Sequence, residues 1–284
     1  MPDELAQRIV DVHGARGRAW LDELPERIAA CERRWSLAVG DPFPNLSYHW
    51  VAPASRQDGS GLVLKLGVPN PELTSQIDAL RAWEGRGSVH LVEADAVEGV
   101  ILLERLLPGS SLAEPDDESI AIALDVMQRL HAVTPPPSLP SLADWTRGLE
   151  RAHAAGFEPA LVSRALTLRE QLLASAPQSV LLHGDLHHDN ILLSERGWLA
   201  IDPKGVVGDP AYEPATFLYN PPDRLLGSTE IGRRVDRFAV RLDRSRVVGW
   251  AVVQAVLSAW WTFEDHRELD AAILRFAEII WALR

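Results

Sequence analysis

The sequence predicts an α+β protein of two unequal lobes: a small antiparallel sheet carrying one main helix, then a mostly helical body. Three features predict it. Short runs with a period of two fill most of the first hundred residues; beyond Gly109 the apolar period lengthens to that of a helix; and one β-hairpin interrupts the helical part, with polar residues clustered at both its bases.

In chain order, Leu21, Leu24, Ile28, Cys31 and Trp35 fall at helical spacing, with Pro25 tolerable near a helix start, so residues 1–35 form an N-terminal helical segment. The period then changes. Ser36 to Val39, Tyr48 to Ala52 and Leu62 to Leu66 are strand-like and separated by Gly40-Asp41-Pro42 and Gln57-Asp58-Gly59 turns. Asn70 followed by Pro71 opens a helix with Leu73, Ile77, Leu80 and Trp83 on one face, and Gly85-Arg86-Gly87 stops it. Strands Val89 to Glu93 and Gly99 to Glu104 complete a first lobe of residues 36–104. A connection at 105–109 ends at Pro108-Gly109, and residues 110–284 form the helical lobe. Its first helix carries Ile120, Leu124, Met127 and His131 and ends before Pro135-Pro136-Pro137. Helices over Leu142 to Ala155, Leu161 to Ala174, Ala211 to Tyr219, Ser245 to Trp261 and Leu269 to Leu283 follow, broken only by the hairpin Ile191 to Leu193 and Trp198 to Ile201.

Composition narrows the function classes. With 46% hydrophobic and 24% charged residues the chain reads as globular. A net charge of −12 disfavours a nucleic-acid partner and tolerates a cationic small molecule. The single cysteine, Cys31, has no internal disulfide partner, which fits a reducing cytoplasm. No basic segment followed by an apolar stretch opens the chain, and the apolar run Val247 to Trp261 is too short for a bilayer; no membrane partner is expected, and the protein is read as a monomer or weak homodimer. Of 28 basic residues only Lys65 and Lys204 are lysines. Arginine serves most surface roles, so these two positions point to a need for a compact ammonium.

The chemistry lies at the bases of the hairpin. His183-Gly184-Asp185-Leu186-His187-His188-Asp189-Asn190 precedes it and Asp202-Pro203-Lys204-Gly205 follows it. A loop Asp and Asn five apart, with a second Asp beyond a hairpin, suit phosphoryl transfer. Asp185 accepts a hydroxyl proton, while Asn190 and Asp202 offer hard oxygens to Mg²⁺ on ATP phosphates. His187 reads as structural and His188 as packing beneath the loop. A transition-metal hydrolase built on the histidines and aspartates is a competing reading, though no cysteine is near. Lys65 stands in the apolar run Leu62-Val63-Leu64-Lys65-Leu66, where a solvated lysine is out of place unless it faces an edge or a ligand.

The catalytic-loop segment His183 to Asn190 resembles that of the aminoglycoside phosphotransferases. The stretch Trp198 to Tyr212 (WLAIDPKGVVGDPAY) and the region Val51 to Leu91 resemble the streptomycin 6-kinase and hydroxyurea-kinase branch of that family. The resemblance spans Trp20 to about Trp260. It implies a protein-kinase-like fold and an ATP- and Mg²⁺-dependent O-phosphotransferase, with a small hydroxylated, cationic acceptor such as streptomycin; hydroxyurea or another metabolite is the alternative acceptor. It further implies Asp185 as catalytic base, Asn190 and Asp202 as metal ligands, Lys65 on the α- and β-phosphates, and Glu104-Arg105-Leu106 as the adenine hinge. Two departures stand out. No glycine-rich phosphate loop is present; Asp41 to Ser47 occupies that turn, leaving amides of Asn45 to Ser47 for the phosphates. The glutamate that pairs with the strand lysine falls at Gln76, with Glu72 one turn earlier, which motivates a weakly active nucleotide-binding pseudokinase as another alternative. For the acceptor, Asp209, Glu213, Glu264 and Asp265 are candidate acids, Asp209 also suiting a helix N-cap before Pro210, and Trp260 and Trp261 candidate walls.

Overall fold

The structure is a computed structural model of the 284-residue chain and describes residues 3–44, 46–112, 117–220 and 227–284. It begins with α1 (Asp3–Trp35), two helical stretches joined at Gly14, whose φ of 58° and ψ of −130° leave the helical region. The helix thus starts well before Leu21, and Pro25 lies in its interior. Next come β1 (Leu37–Val39), β2 (Trp50–Arg56), β3 (Gly61–Leu66), α2 (Pro71–Trp83), β4 (Leu91–Asp95) and β5 (Val100–Glu104). The five strands form one antiparallel sheet in the order β1-β2-β3-β5-β4.

The period of two in β3 decides where its lysine points. Leu62, Leu64 and Leu66 share the face that packs, with Trp50, Ala52 and Leu102, against Leu5, Ile9, Trp20 and Leu24 of α1. Each fully buried leucine contributes about 1.5–3 kcal/mol by leaving water, so the register is strongly fixed. Lys65 must then face the opposite side, in line with Val51 and Ile101 across the ladder. On that side α2 lies, started by Asn70, whose side chain accepts from the Leu73 N–H at 2.9 Å, with Pro71 in the first turn.

The remaining chain gives β6 (Pro108–Ser111), α3 (Asp117–His131), α4 (Leu142–Trp145), α5 (Gly148–Ala154), α6 (Pro159–Ala174), β7 (Val180–Leu182), β8 (Ile191–Ser194), β9 (Gly197–Ala200), β10 (Val206–Gly208), α7 (Pro214–Tyr219), α8 (Ser228–Phe238), α9 (Arg244–His266) and α10 (Ala271–Trp281). A continuous apolar core centred on α9 holds these helices together. Among the described residues no helix is long and apolar enough to cross a membrane, and Cys31 is free and buried.

Four elements here escape the sequence pattern. The strands β6, β7 and β10 are only three or four residues long, too short for any period to show; β10 pairs antiparallel with β7 and β6 with β8. The helix α8, amphipathic through Ile231, Val235 and Phe238, lies in a stretch between Tyr219 and Ser245 to which no element was assigned. The expected helix over Leu142 to Ala155 is two. Ser141 and Asp144 form a capping box, and the Thr146 hydroxyl donates to the Leu142 carbonyl at 2.6 Å, which turns the chain before Gly148.

The two lobes are stitched next to the hairpin. The Val89 N–H donates to the Ala200 carbonyl at 2.8 Å, and the Ala200 N–H to the Gly87 carbonyl at 2.9 Å. The Trp83 indole N–H reaches the Leu130 carbonyl at 3.1 Å. The end of β9, and with it Asp202, is therefore held against the α2–β4 connection.

Candidate active site

The hairpin β8–β9 is closed at its base by the Ile201 N–H, which donates to the Asn190 carbonyl at 2.9 Å. That bond brings the loop ending at Asn190 beside the segment beginning at Asp202. Asn190 also fixes the loop from within, its Nδ2 donating to the Asp185 carbonyl at 2.9 Å and lying 3.1 Å from His187 Nε2. The His183 ring is buried; it donates from Nε2 to the Ile201 carbonyl at 2.7 Å and accepts the Asp185 N–H at Nδ1, 3.2 Å away. Burial lowers its pKa, so one neutral tautomer serves both bonds.

Beneath this loop sits Glu213, fully enclosed. Its two oxygens accept the His183 and Gly184 N–H groups, each at 2.8 Å, and His131 Nε2 lies 3.1 Å from Oε2. Gly184 needs its freedom at this point: its φ is +84°, and a Cβ there would approach Lys204 Cβ to 3.1 Å. Burial acts to raise the Glu213 carboxyl, but the His131 hydrogen bond and charge, His183 and the Gly184 amide outweigh it and hold the carboxyl below the ordinary glutamate value. Such a group stabilises the fold above its unfolded pKa of about 4.3, and the gain is lost as pH falls through the lower folded value. Glu213→Gln, which turns an NH₂ toward N–H donors, is expected to cost about 2–4 kcal/mol at pH 7. In urea unfolding the gap to the wild type should hold from pH 7 to about pH 5 and narrow as pH falls below about 4.3; a gap that stays constant down to about pH 3 would remove the assigned charge.

From the other lobe Lys65 reaches across, and its Nζ bonds Asp202 Oδ1. Gln76 donates from Nε2 to the same oxygen at 2.6 Å and to the Pro203 carbonyl at 3.0 Å. Gln76 thus orients Asp202 instead of pairing with the lysine, and its buried Oε1 has no hydrogen-bond partner among the described residues. Asp202 itself adopts a left-handed φ of 58°, a conformation that concentrates at functional positions. Burial works to raise its carboxyl, but Lys65, His49 and Lys204 prevail and hold it far below the usual carboxylate range. Gly205, at φ +68°, allows α2 to lie directly on this segment, since a Cβ there would stand 2.5 Å from the Ser75 carbonyl oxygen.

The residues present suit a hard divalent cation. Asp202 spends Oδ1 on Lys65 and Gln76, and Asn190 spends Nδ2 on the loop; Asp202 Oδ2 and Asn190 Oδ1 have no partner among the described residues. Two oxygen donors at the two bases of one hairpin suit Mg²⁺, which takes few protein ligands when phosphates and water supply the rest. The Asp185 carboxylate is likewise without a partner among the described residues. The three histidines of the motif form no shared metal site with these acids among the described residues. His183 turns inward and His188 packs 3.9 Å from the Phe217 ring, and among the described residues no group of three or more His, Cys, Asp and Glu could hold a metal.

The remaining candidates separate. Ser47 is exposed on the β1–β2 loop, and Asn45 lies outside the described residues. That loop is anchored by Tyr48, whose hydroxyl is 3.2 Å from His266 Nε2 with the rings stacked. Glu104 accepts the His90 N–H at 2.7 Å and pairs with Arg196, while Leu106 is buried just beyond it. Glu72 bonds Lys204 Nζ at 2.6 Å. Asp209 is buried, capping the Ala211 N–H at 3.0 Å and bound by Arg246 and by the Trp250 indole at 2.6 Å, so neither it nor Glu213 faces an acceptor. Glu264 forms a two-pronged pair with Arg151 at 2.7 and 2.8 Å. Asp265 is half-buried, which raises its carboxyl.

Two features beside the site carry no signal along the chain. His49 sits beside Lys65 and Asp202, and burial, then Lys65, push its imidazole well below the ordinary value, leaving it neutral. A cleft of 1010 Å³ lies where the start of α2 faces α4, α5 and α9, and Glu72, Asp78, Asp144, Trp145, Arg151 and Trp261 line it. These residues come from four separate elements, so no local spacing marks them; Trp260, by contrast, is buried in the core.

The profile of the aminoglycoside/hydroxyurea antibiotic resistance kinases matches residues 34–266. Streptomycin 6-kinase of Streptomyces griseus is 32% identical over 93% of this chain and 91% of its own length. Hydroxyurea phosphotransferase of Kitasatospora aureofaciens is 37% identical over 93% of this chain and 81% of its own length. Among solved structures, aminoglycoside phosphotransferase APH(4)-Ia, a thermostable mutant captured with ADP and hygromycin B, superposes with a TM-score of 0.62 at 16% identity, covering 89% of this chain and 97% of that one. The shared architecture is the protein-kinase-like α+β fold.

Proposed function

Because the chain belongs to the aminoglycoside/hydroxyurea antibiotic resistance kinase family, we propose that it transfers the γ-phosphate of ATP to a hydroxyl of a small cationic acceptor, streptomycin or a related aminoglycoside first among them. The observation that supports this reading is the run of contacts linking Lys65 to Asp202, Ile201 to Asn190 and Asn190 to Asp185, with the Asp202 Oδ2, Asn190 Oδ1 and Asp185 carboxylate oxygens without partners among the described residues.

In this reading Asp185 orients the acceptor O–H and takes its proton as the new P–O bond forms and ADP leaves. Lys65 moves from Asp202 onto the α- and β-phosphates. Gln76 keeps Asp202 aimed while Lys65 is away, so the amide at this position leaves the site assembled and the pseudokinase alternative loses its motive. Asn190 and Asp202 hold Mg²⁺, which neutralises phosphate charge when bound. The backbone at Glu104 to Leu106 borders the adenine, and the loop at Ser47 covers the phosphates. The protein's contribution is mainly position and charge, worth several orders of magnitude in rate when both are fixed in advance.

The 1010 Å³ cleft beside Glu72 is the acceptor site in this proposal. Its size matches a drug-sized ligand. Three carboxylates and two indoles suit ammonium or guanidinium groups on a sugar ring, and hydroxyurea, neutral and only a few atoms across, would fill little of it. A coupled ADP-release screen over aminoglycosides, amino sugars and hydroxyurea tests the reading, with Asp185→Asn as blank. Stimulation by streptomycin is expected. If neither hydroxyurea nor any aminoglycoside stimulates release above the blank, the antibiotic acceptor is refuted.

A further inference from the structure

The two lysines of this arginine-rich chain meet at one place. Lys65 arrives from β3 and bonds Asp202; Lys204 stands two residues beyond Asp202 on the other lobe. The Lys204 backbone is pinned from both sides, its N–H donating to the His183 carbonyl at 2.8 Å and its carbonyl accepting the Ser75 hydroxyl at 2.7 Å. The side chain therefore leaves a fixed Cα, reaches toward the cleft and ends on Glu72 at 2.6 Å, about a quarter exposed. The charges that act on it are Glu72, Asp185 and Asp202. The ammonium thus lies among the base, the metal aspartate and the rim of the acceptor cleft.

The loop from His183 to Asn190 contains neither lysine nor arginine, and Arg151, the arginine lining the cleft, is held in both prongs by Glu264. Yet the group in transit carries charge on three oxygens, and positive groups aimed at it are a main source of acceleration. Lys65, bound to the α- and β-phosphates in the proposed reaction, is not placed to follow the γ-phosphoryl to the acceptor.

We propose that Lys204 is a catalytic residue, an ammonium parked on Glu72 in the unloaded protein that moves onto the γ-phosphoryl oxygens of bound ATP. The inference rests on the phosphotransferase reading of the site. A compact ammonium on a flexible stem can exchange Glu72 for phosphate by rotating its last bonds, whereas the forked guanidinium of arginine is suited to a fixed planar partner. This accounts for a lysine here in a chain that uses arginine almost everywhere else. Glu72 keeps the ammonium off Asp185 until phosphate arrives.

The test separates γ-phosphate contact from a structural role. Lys204→Met and Lys204→Gln are titrated calorimetrically with AMP-PNP and with ADP, both with Mg²⁺, and kcat is measured with the best acceptor. Glutamine retains a donor for Glu72, and so the docking of α2, without the charge. For either variant ADP affinity should stay within about threefold of wild type, AMP-PNP should bind about tenfold more weakly, and kcat should fall by about 10²–10³-fold. Equal weakening of both nucleotides would show a structural lysine and overturn the proposal, as would a kcat within about threefold of wild type. A wild-type protein that binds neither nucleotide defeats the phosphotransferase reading itself; one that binds both, with variants indistinguishable from it, defeats only the role of Lys204.

Discussion

Asp185→Asn is expected to lower kcat by about 10³–10⁴-fold while leaving MgATP affinity within about threefold of wild type. The structure gives the reason for the separation. The loop around Asp185 is held by main-chain groups and by other side chains: its N–H by His183, its carbonyl by Asn190, and the turn before it by Glu213. None of these bonds uses the Asp185 carboxylate, so exchanging an oxygen for NH₂ removes no contact that shapes the loop. What it removes is a carboxylate that has no partner among the described residues and that, in the proposed reaction, receives the acceptor proton. Urea unfolding of the variant should match wild type within about 0.5 kcal/mol, as for a substitution without a structural partner. The kinetic measurement is single-turnover phosphorylation of the acceptor, followed as ADP formed per enzyme. A variant that retains a tenth or more of wild-type kcat would mean that Asp185 is not the base.

The parts of this site that could be read from the chain are those in which chemistry follows from order along the sequence. Asp185, Asn190 and Asp202 bracket a hairpin, and any hairpin brings its two bases together; the bond between Ile201 and Asn190 does this here. Lys65 was legible because a charged residue interrupts an alternating apolar strand, and the leucines that α1 buries leave it one side to face. The acids proposed for the acceptor were less legible. Asp209 and Glu213 occur next to the motif, but proximity in sequence could not say that one caps a turn inside the core and the other supports the loop from below. The residues lining the cleft come from α2, α4, α5 and α9, which packing alone brings together. Short strands such as β7 and β10 were missed for a related reason, since three residues are too few to show a period. Gln76 was read as a missing ion pair because the family pattern suggested a glutamate. Its amide in fact donates to Asp202, an arrangement that depends on where Asp202 points and hence on the left-handed turn there.

Lys65→Met should be the most damaging change in the sheet lobe, lowering kcat/KM by about 10³-fold with little effect on the fold. The methionine keeps the unbranched stem that lies in register with Val51 and Ile101, so the packing of β3 survives. The buried ammonium leaves with the substitution, while the Asp202 side chain, 48% exposed, regains water and keeps Gln76 as a donor, so no uncompensated buried charge remains. The functional loss is larger because two tasks fail together. No ammonium is left for the α- and β-phosphates, and Asp202 loses the cation that does most to keep it charged. Both MgADP and MgATP should therefore bind at least about tenfold more weakly, a uniform loss unlike the γ-selective one expected at Lys204. Thermal unfolding without nucleotide, run beside calorimetric titration of ADP, checks the two halves at once. A melting temperature far below wild type with ADP affinity intact would make Lys65 a structural residue, and the crevice would then need another cation to hold ATP.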